Sequence, residues 1–108
     1  MKWYEHLYVG DSVADKVDKI KWKIMHNAGM FTVYVIALAS NPDNLLDIIP
    51  ASNLVQKGYP KEKLRIVGLA GGYEEALELV RRIIEETYAH TNDVDVYEYL
   101  RESRRNTT

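Results

Sequence analysis

Three short turns rich in small residues contain the groups of this chain that could bind an anion. They are Gly10-Asp11-Ser12, Ser40-Asn41 and Gly71-Gly72-Tyr73, and each precedes a segment with a helical pattern. Backbone N–H groups at the start of a helix can donate hydrogen bonds to a phosphate or carboxylate, and glycine permits close approach. Seven residues of these turns are therefore candidate ligand-binding residues: Asp11, Ser12, Ser40, Asn41, Gly71, Gly72 and Tyr73.

The same turns also have a purely structural interpretation. Asp43, Glu74 and Glu75 would fall in the first helical turns, where carboxylates complement the helix dipole and would repel a bound anion. The glycines follow neither the G-x-G-x-x-G spacing nor the P-loop pattern. The sequence thus favours turns and caps, and it leaves anion binding open as the alternative.

The residue types needed for catalysis are present without the spacing that catalysis needs. The chain has no cysteine, which excludes thiolate chemistry and disulfides, and His6, His26 and His90 do not have metal-ligand spacing. Ser12 and Ser40 lack the G-x-S-x-G setting of a nucleophile. We therefore predict no catalytic residue, no metal and no cofactor, which favours a non-enzymatic protein and leaves an enzyme open.

Length and charge limit the class of protein. The 108 residues predict one domain, 1–108, with a frayed tail from about 103. The 14 basic and 16 acidic side chains give a net charge of −2, which argues against nucleic acid or an anionic membrane as partner. Residues 30–39 are the most apolar run, and they supply about half of the ~20 residues that a membrane helix needs. Charged residues near Met1 argue against a signal peptide, so we expect a cytoplasmic protein.

Alternating and helical patterns predict the elements that hold the three turns. Residues 3–9 read as an edge strand, with Trp3, Leu7 and Val9 on one face and Tyr4 and Tyr8 on the other. A helix should follow over 12–28 and stop near Gly29, and 31–39 should form a central strand. We expect a helix over 41–49 that ends at Pro50, a short helical turn within 51–57, and a strand over 64–70.

The longest helical pattern begins after Gly71-Gly72, and a last short helix is expected from Asp93. The inward-facing residues of the long helix are predicted from its apolar positions: Ala76, Leu77, Val80, Ile83, Ile84 and Tyr88.

An internal repeat suggests how these elements are arranged. Residues 35–49 and 66–80 each contain an apolar strand, a turn of small residues and a helical pattern. Two such units in tandem predict parallel strands, and hence a small α/β fold: a three-stranded, mainly parallel sheet in the order βαβαβα plus a C-terminal helix, with helices covering the sheet. The three turns would then meet at the carboxyl edge of the sheet. If the first strand is antiparallel, its turn leaves this group.

Trp22 is the residue that folding explains least. At about 100° per residue it lies opposite the apolar stripe of Val13, Val17, Ile20 and Ile24. It is either an interface anchor or is covered by the C-terminal segment, through Tyr97, Tyr99 and Leu100. The lysines of the same helix alternate with acids, which indicates a solvated surface.

Two segments resemble a known family. Ala-Ser-Asn-Pro-Asp-Asn-Leu-Leu-Asp at 39–47 and Val-Gly-Leu-Ala-Gly-Gly-Tyr-Glu-Glu-Ala at 67–76 are similar to a family of short uncharacterised α/β proteins of anaerobic clostridial bacteria. The resemblance covers most of the chain and implies a stand-alone bacterial cytoplasmic domain. It assigns no activity, cofactor or catalytic residue to any position.

Two functions from different classes remain. The first is a non-enzymatic interaction or regulatory module that self-associates as a homodimer or binds a protein partner, with Trp22 as the candidate interface residue. The second is a domain that binds a small anionic ligand, such as a nucleotide or a phosphorylated metabolite, at the convergent turns.

Overall fold

A computed structural model describes residues 1–28, 32–39, 45–56, 58–60, 62, 64–92 and 99–100. These residues contain four strands and three α-helices, which confirms the α/β class. The elements in chain order are β1 (Lys2–Val9), a 3-10 turn (Asp11–Val13), α1 (Val17–Met25), β2 (Tyr34–Leu38), β3 (Leu46–Pro50), α2 (Ala51–Leu54), β4 (Arg65–Ala70) and α3 (Tyr73–Thr91).

The four strands form one mixed sheet in the order β1-β4-β2-β3. β1 and β4 are parallel, whereas β2 runs antiparallel to both β4 and β3. The prediction of a three-stranded, mainly parallel sheet is therefore wrong. The edge position of β1 and the interior position of β2 are confirmed, and Val35, Ile36 and Ala37 of β2 are fully buried.

The helix predicted over 41–49 is wrong where the structure describes it. Leu46–Pro50 is instead strand β3, which pairs with β2 from Leu38 opposite Leu46 to Tyr34 opposite Pro50. Short apolar runs fit a helix and a strand equally well by spacing, and here the antiparallel partner decides. Pro50 lies at the end of an edge strand, where its missing N–H is tolerated. The expected helix start, Asn41 to Asp43, lies outside the described residues.

Helix α1 is shorter than predicted at both ends. The 3-10 turn and a further turn precede it, so the helix begins at Val17 and not at Ser12. At its end Asn27 has a positive φ of 55°, its N–H bonds the Ile24 carbonyl, and the Ala28 N–H bonds the Lys23 carbonyl. This is a Schellman cap built on asparagine, so the helix stops before Gly29, which lies outside the described residues.

The two faces of the sheet have separate hydrophobic cores. The 3-10 turn, α1 and α2 cover one face through Val13, Ile20, Ile24 and Leu54. Helix α3 covers the other face together with Leu100. The long helix after Gly71-Gly72 is confirmed, as is the alternation of β1, with Trp3, Leu7 and Val9 in the first core and Tyr4 and Tyr8 in the second.

The predicted inner face of α3 is wrong in part. Leu77 and Tyr88 are exposed, whereas Leu79 and Thr87, which were not predicted, are buried. Thr87 is compatible with burial because its hydroxyl donates a hydrogen bond to the Ile83 carbonyl of its own helix, 2.7 Å away. The buried side of α3 is therefore rotated relative to the predicted one, and the apolar side chains of Leu77 and Tyr88 remain exposed beside it.

Candidate functional sites

The turns after β1 and β4 are joined by one carboxylate. Glu75 Oε1 accepts hydrogen bonds from the Gly71 N–H and from the Ser12 hydroxyl, each at 2.7 Å, and the Ser12 N–H lies 3.4 Å from Oε2. These turns adjoin because β1 and β4 are parallel neighbours. A Cβ atom at Gly10 would collide with the same carboxylate, so glycine keeps this space open.

The environment of Glu75 favours its charged form. The hydrogen bond from the Gly71 N–H, and then that from the Ser12 hydroxyl, lower the pKa of this carboxyl below its ordinary value. Glu75 is itself the anion that the Gly71 amide binds. This amide, expected to meet a ligand, is therefore already used within the protein.

The other predicted site residues divide between two edges of the sheet. Asp11, Ser12, Gly71, Gly72 and Tyr73 lie at the edge where β1 and β4 end. β2 is antiparallel to β4, so its carboxyl end lies at the opposite edge, and Ser40 and Asn41, which follow it, lie outside the described residues. The predicted meeting of three turns is thus wrong, since the second turn follows a strand that runs the other way.

A cleft of about 310 Å³ opens beside Ser12 and Gly71. Lys16, Lys19, Lys23 and Thr32 are among the residues that line it. Val13, Ile20 and Val33 contribute apolar surface to the same cleft. In the part of the chain that the structure describes, none of these three lysines forms an ion pair with a carboxylate. The cleft therefore combines three lysines that form no ion pair within the described residues with the hydroxyl-bearing residues Ser12 and Thr32.

The sequence interpretation missed this cleft. It treated the lysines of α1 as one solvated set because they alternate with acids. Lys16, Lys19 and Lys23 are spaced by three and four residues, which places them along one side of a helix. That spacing is the signal that could have separated them from Lys21, which instead lies over the Trp3 ring.

Trp22 is exposed among the described residues. Its side chain is 58% exposed, its ring stacks on His26 with centroids 4.2 Å apart, and the neighbouring Met25 is equally exposed. Tyr99 and Leu100 pack against the α3 core on the other face of the sheet, which contradicts the alternative that these two residues cover Trp22. Tyr97 lies outside the described residues.

A second exposed apolar surface runs along α3. Tyr73, Leu77 and Tyr88 are 54%, 47% and 56% exposed, and Val80 and Ile84 are half-buried between them. We call these five residues the α3 stripe, because their spacing places them along one side of the helix. Tyr73 also contacts Tyr34 of β2 edge-on, with ring centroids 5.8 Å apart.

No family model, curated protein or solved structure matches the chain. Within the described residues, no group of three or more histidine, aspartate or glutamate side chains is placed to hold a metal ion. None of the helices in the same residues has the length and apolar character needed to span a bilayer.

Proposed function

We propose that the protein is a non-enzymatic interaction module that self-associates, with the α3 stripe of one copy packed against the α3 stripe of a second. The observation that carries this proposal is the exposure of Tyr73, Leu77 and Tyr88 on one side of a well-packed helix. Large apolar side chains on one contiguous surface mark interaction sites, and tyrosine is enriched among interface anchors.

The order of residues in the stripe favours a second copy as the partner. Tyr73 and Tyr88 lie equally far from the midpoint between Val80 and Arg81, and so do Leu77 and Ile84. An antiparallel pair of α3 helices would therefore place each tyrosine opposite a tyrosine and each leucine opposite an isoleucine. This self-complementarity is what a two-fold symmetric interface requires.

Charges beside the stripe are compatible with this arrangement. Arg81 lies near the midpoint, where two copies would bring two arginines close together. Each Arg81 already has Glu78 at 2.5 Å and Glu85 at 3.8 Å on its own helix. These exposed ion pairs contribute little stability, but they compensate the charge that would otherwise repel the second helix.

The size of the stripe sets the expected strength. Tyr73 and Tyr88 are about 22 Å apart along the helix at 1.5 Å per residue. A contact between single helices is smaller than the standard interface of about 1,600 Å², so we expect a weak and reversible dimer. Concentration should therefore decide how much of the protein is dimeric.

Sedimentation velocity across a dilution series tests the proposal. Leu77→Glu places a charge in the stripe and should shift the protein to monomer, because the carboxylate would be buried without a partner. Ala89→Glu is the matched control, since Ala89 is exposed on the same helix away from the stripe, and it should dimerise like the parent. A parent protein that stays monomeric throughout, or equal loss in both variants, would contradict the proposal.

Trp22 and Met25 form a second candidate interface on the opposite face of the sheet. Both are 58% exposed, which is unusual for a tryptophan that contributes only to folding. Trp22→Ser in the same dilution series separates the two surfaces. If it dissociates the dimer and Leu77→Glu does not, the contact is made by α1.

The resemblance to a clostridial family leads us to assign this module to the bacterial cytoplasm.

A further inference from the structure

We infer that the cleft beside Ser12 is a binding site for a small phosphorylated polyol. It lies beside α1, on the face of the sheet opposite the α3 stripe, so this inference does not depend on self-association. We call this cleft the lysine cleft, and six of its lining residues are Ser12, Lys16, Lys19, Lys23, Thr32 and Gly71.

The charge of the lysine cleft calls for an anion. Three lysines line one small cavity, and among the described residues none of them forms an ion pair with a carboxylate. Like charges held close together repel one another, and a bound anion relieves that repulsion. A phosphate monoester carries between one and two negative charges near pH 7, more than a single carboxylate offers, so it fits three lysines better.

Glu75 makes the side of the lysine cleft near Ser12 electrostatically different from the side formed by the lysines. The Ser12 hydroxyl donates its proton to Glu75, so towards the cleft it can act only as an acceptor. An acceptor beside a carboxylate suits a ligand hydroxyl and repels a phosphate. The phosphate should therefore lie with the lysines, away from Glu75, while a hydroxyl of the ligand donates to Ser12.

The size and lining of the lysine cleft narrow the ligand further. A volume of about 310 Å³ lies at the low end of ligand pockets, which run from about 300 to 1,000 Å³. Among the described residues that line the cleft, none has an aromatic side chain on which a base could stack. A phosphate on a short polyol therefore fits better than a nucleotide.

Amide chemical shifts of the protein, followed during titration with glycerol 3-phosphate, test this inference. Inorganic phosphate and glycerol, added separately at matched ionic strength, distinguish the phosphate from the polyol. We expect saturable shifts at Ser12, Lys19 and Val33, with glycerol 3-phosphate bound several-fold more tightly than phosphate. Absence of saturable shifts up to about 20 mM would overturn the site, because that limit corresponds to negligible affinity. Equal binding of phosphate and glycerol 3-phosphate would overturn the polyol assignment.

A pair of charge-matched variants tests the role of the lysines. Lys16→Gln/Lys19→Gln removes two charges from the lysine cleft and should weaken glycerol 3-phosphate binding about tenfold, because each exposed charge makes a modest contribution to binding. Lys2→Gln/Arg82→Gln removes the same charge from exposed positions outside the cleft and should bind like the parent. Equal weakening in both variants would show a general charge effect and overturn the assignment to the cleft.

Discussion

Replacing Glu75 should weaken the connection between the turns after β1 and β4. Glu75→Gln keeps the shape of the side chain but removes its charge, and Glu75→Ala removes the acceptor for Gly71 and Ser12. A hydrogen bond to a charged group contributes about 1.5–3 kcal/mol, and the partial exposure of Glu75 lowers this to about 1 kcal/mol for each of its two short hydrogen bonds. We expect a loss of about 1 kcal/mol for Glu75→Gln and about 2 kcal/mol for Glu75→Ala.

Urea unfolding at pH 7 measures these losses, and Glu74→Gln is the matched control. Glu74 lies in the same first turn of α3 and is exposed. Its replacement removes an interaction with the helix dipole but keeps the hydrogen bonds that join the two turns. We expect it to lose at most about 0.5 kcal/mol. A loss of 1 kcal/mol corresponds to roughly 4 °C in Tm for a domain of this size.

The effect of Glu75→Gln should also depend on pH. The pKa of Glu75 is lowered in the folded protein, so its charge stabilises the fold fully above the unfolded value of about 4.3 and less as pH falls through the folded pKa. The difference between parent and variant should therefore shrink as pH falls below the unfolded value. Equal stability of Glu75→Gln and Glu74→Gln at pH 7, or a difference unchanged at low pH, would refute this reasoning.

Three further substitutions test the packing around Glu75 and the hydrogen bond from Tyr8 to Glu86. Gly10→Ala should lower the free energy of unfolding about as much as Glu75→Ala, because the new methyl group displaces the Glu75 carboxylate. The two substitutions together should then lower it little more than either alone. Gly72→Ala has free space and extended backbone, so it should lower the free energy of unfolding by under about 1 kcal/mol in the same urea assay. Tyr8→Phe should lose about 1 kcal/mol because the Tyr8 hydroxyl donates a 2.7 Å hydrogen bond to Glu86. Burial, and then Glu86, raise the pKa of Tyr8 in the folded protein. The parent should therefore lose stability as pH rises above the unfolded value of about 10. Urea midpoints measured at pH 8 and at about pH 11 should show that Tyr8→Phe loses less stability than the parent between these two pH values.

The sequence predicts the β4–α3 unit well and the preceding unit poorly. The strand of β4 is apolar and ends at Gly71-Gly72, and α3 has a long amphipathic pattern, so each local signal agrees with the fold. The segment around Leu46–Pro50 resembles the start of α3 in spacing, but it is short and rich in isoleucine. Whether this segment forms a strand or a helix depends on its pairing with β2, and no local sequence pattern contains that information.

The candidate sites divide in the same way. The meeting of the Ser12 and Gly71 turns follows from parallel neighbouring strands and was predictable in kind. The hydrogen bond from Ser12 to Glu75 joins residues 63 positions apart, so no local pattern could assign the Gly71 amide to an internal carboxylate. The lysine cleft likewise needs Thr32 and Gly71 brought to α1 by the sheet.

Cysteine crosslinking across the α3 stripe tests self-association most directly. The chain has no cysteine, so introduced thiols are the only ones that can react. In the antiparallel dimer, Leu77 of one copy faces Ile84 of the other. Cysteines at positions 77 and 84 of the same helix would be about 10 Å apart, which is too far for a disulfide within one copy. We predict that Leu77→Cys/Ile84→Cys forms a covalent dimer on mild oxidation and that neither single variant does. Equal crosslinking by a single variant, or none by the double variant, would contradict the account.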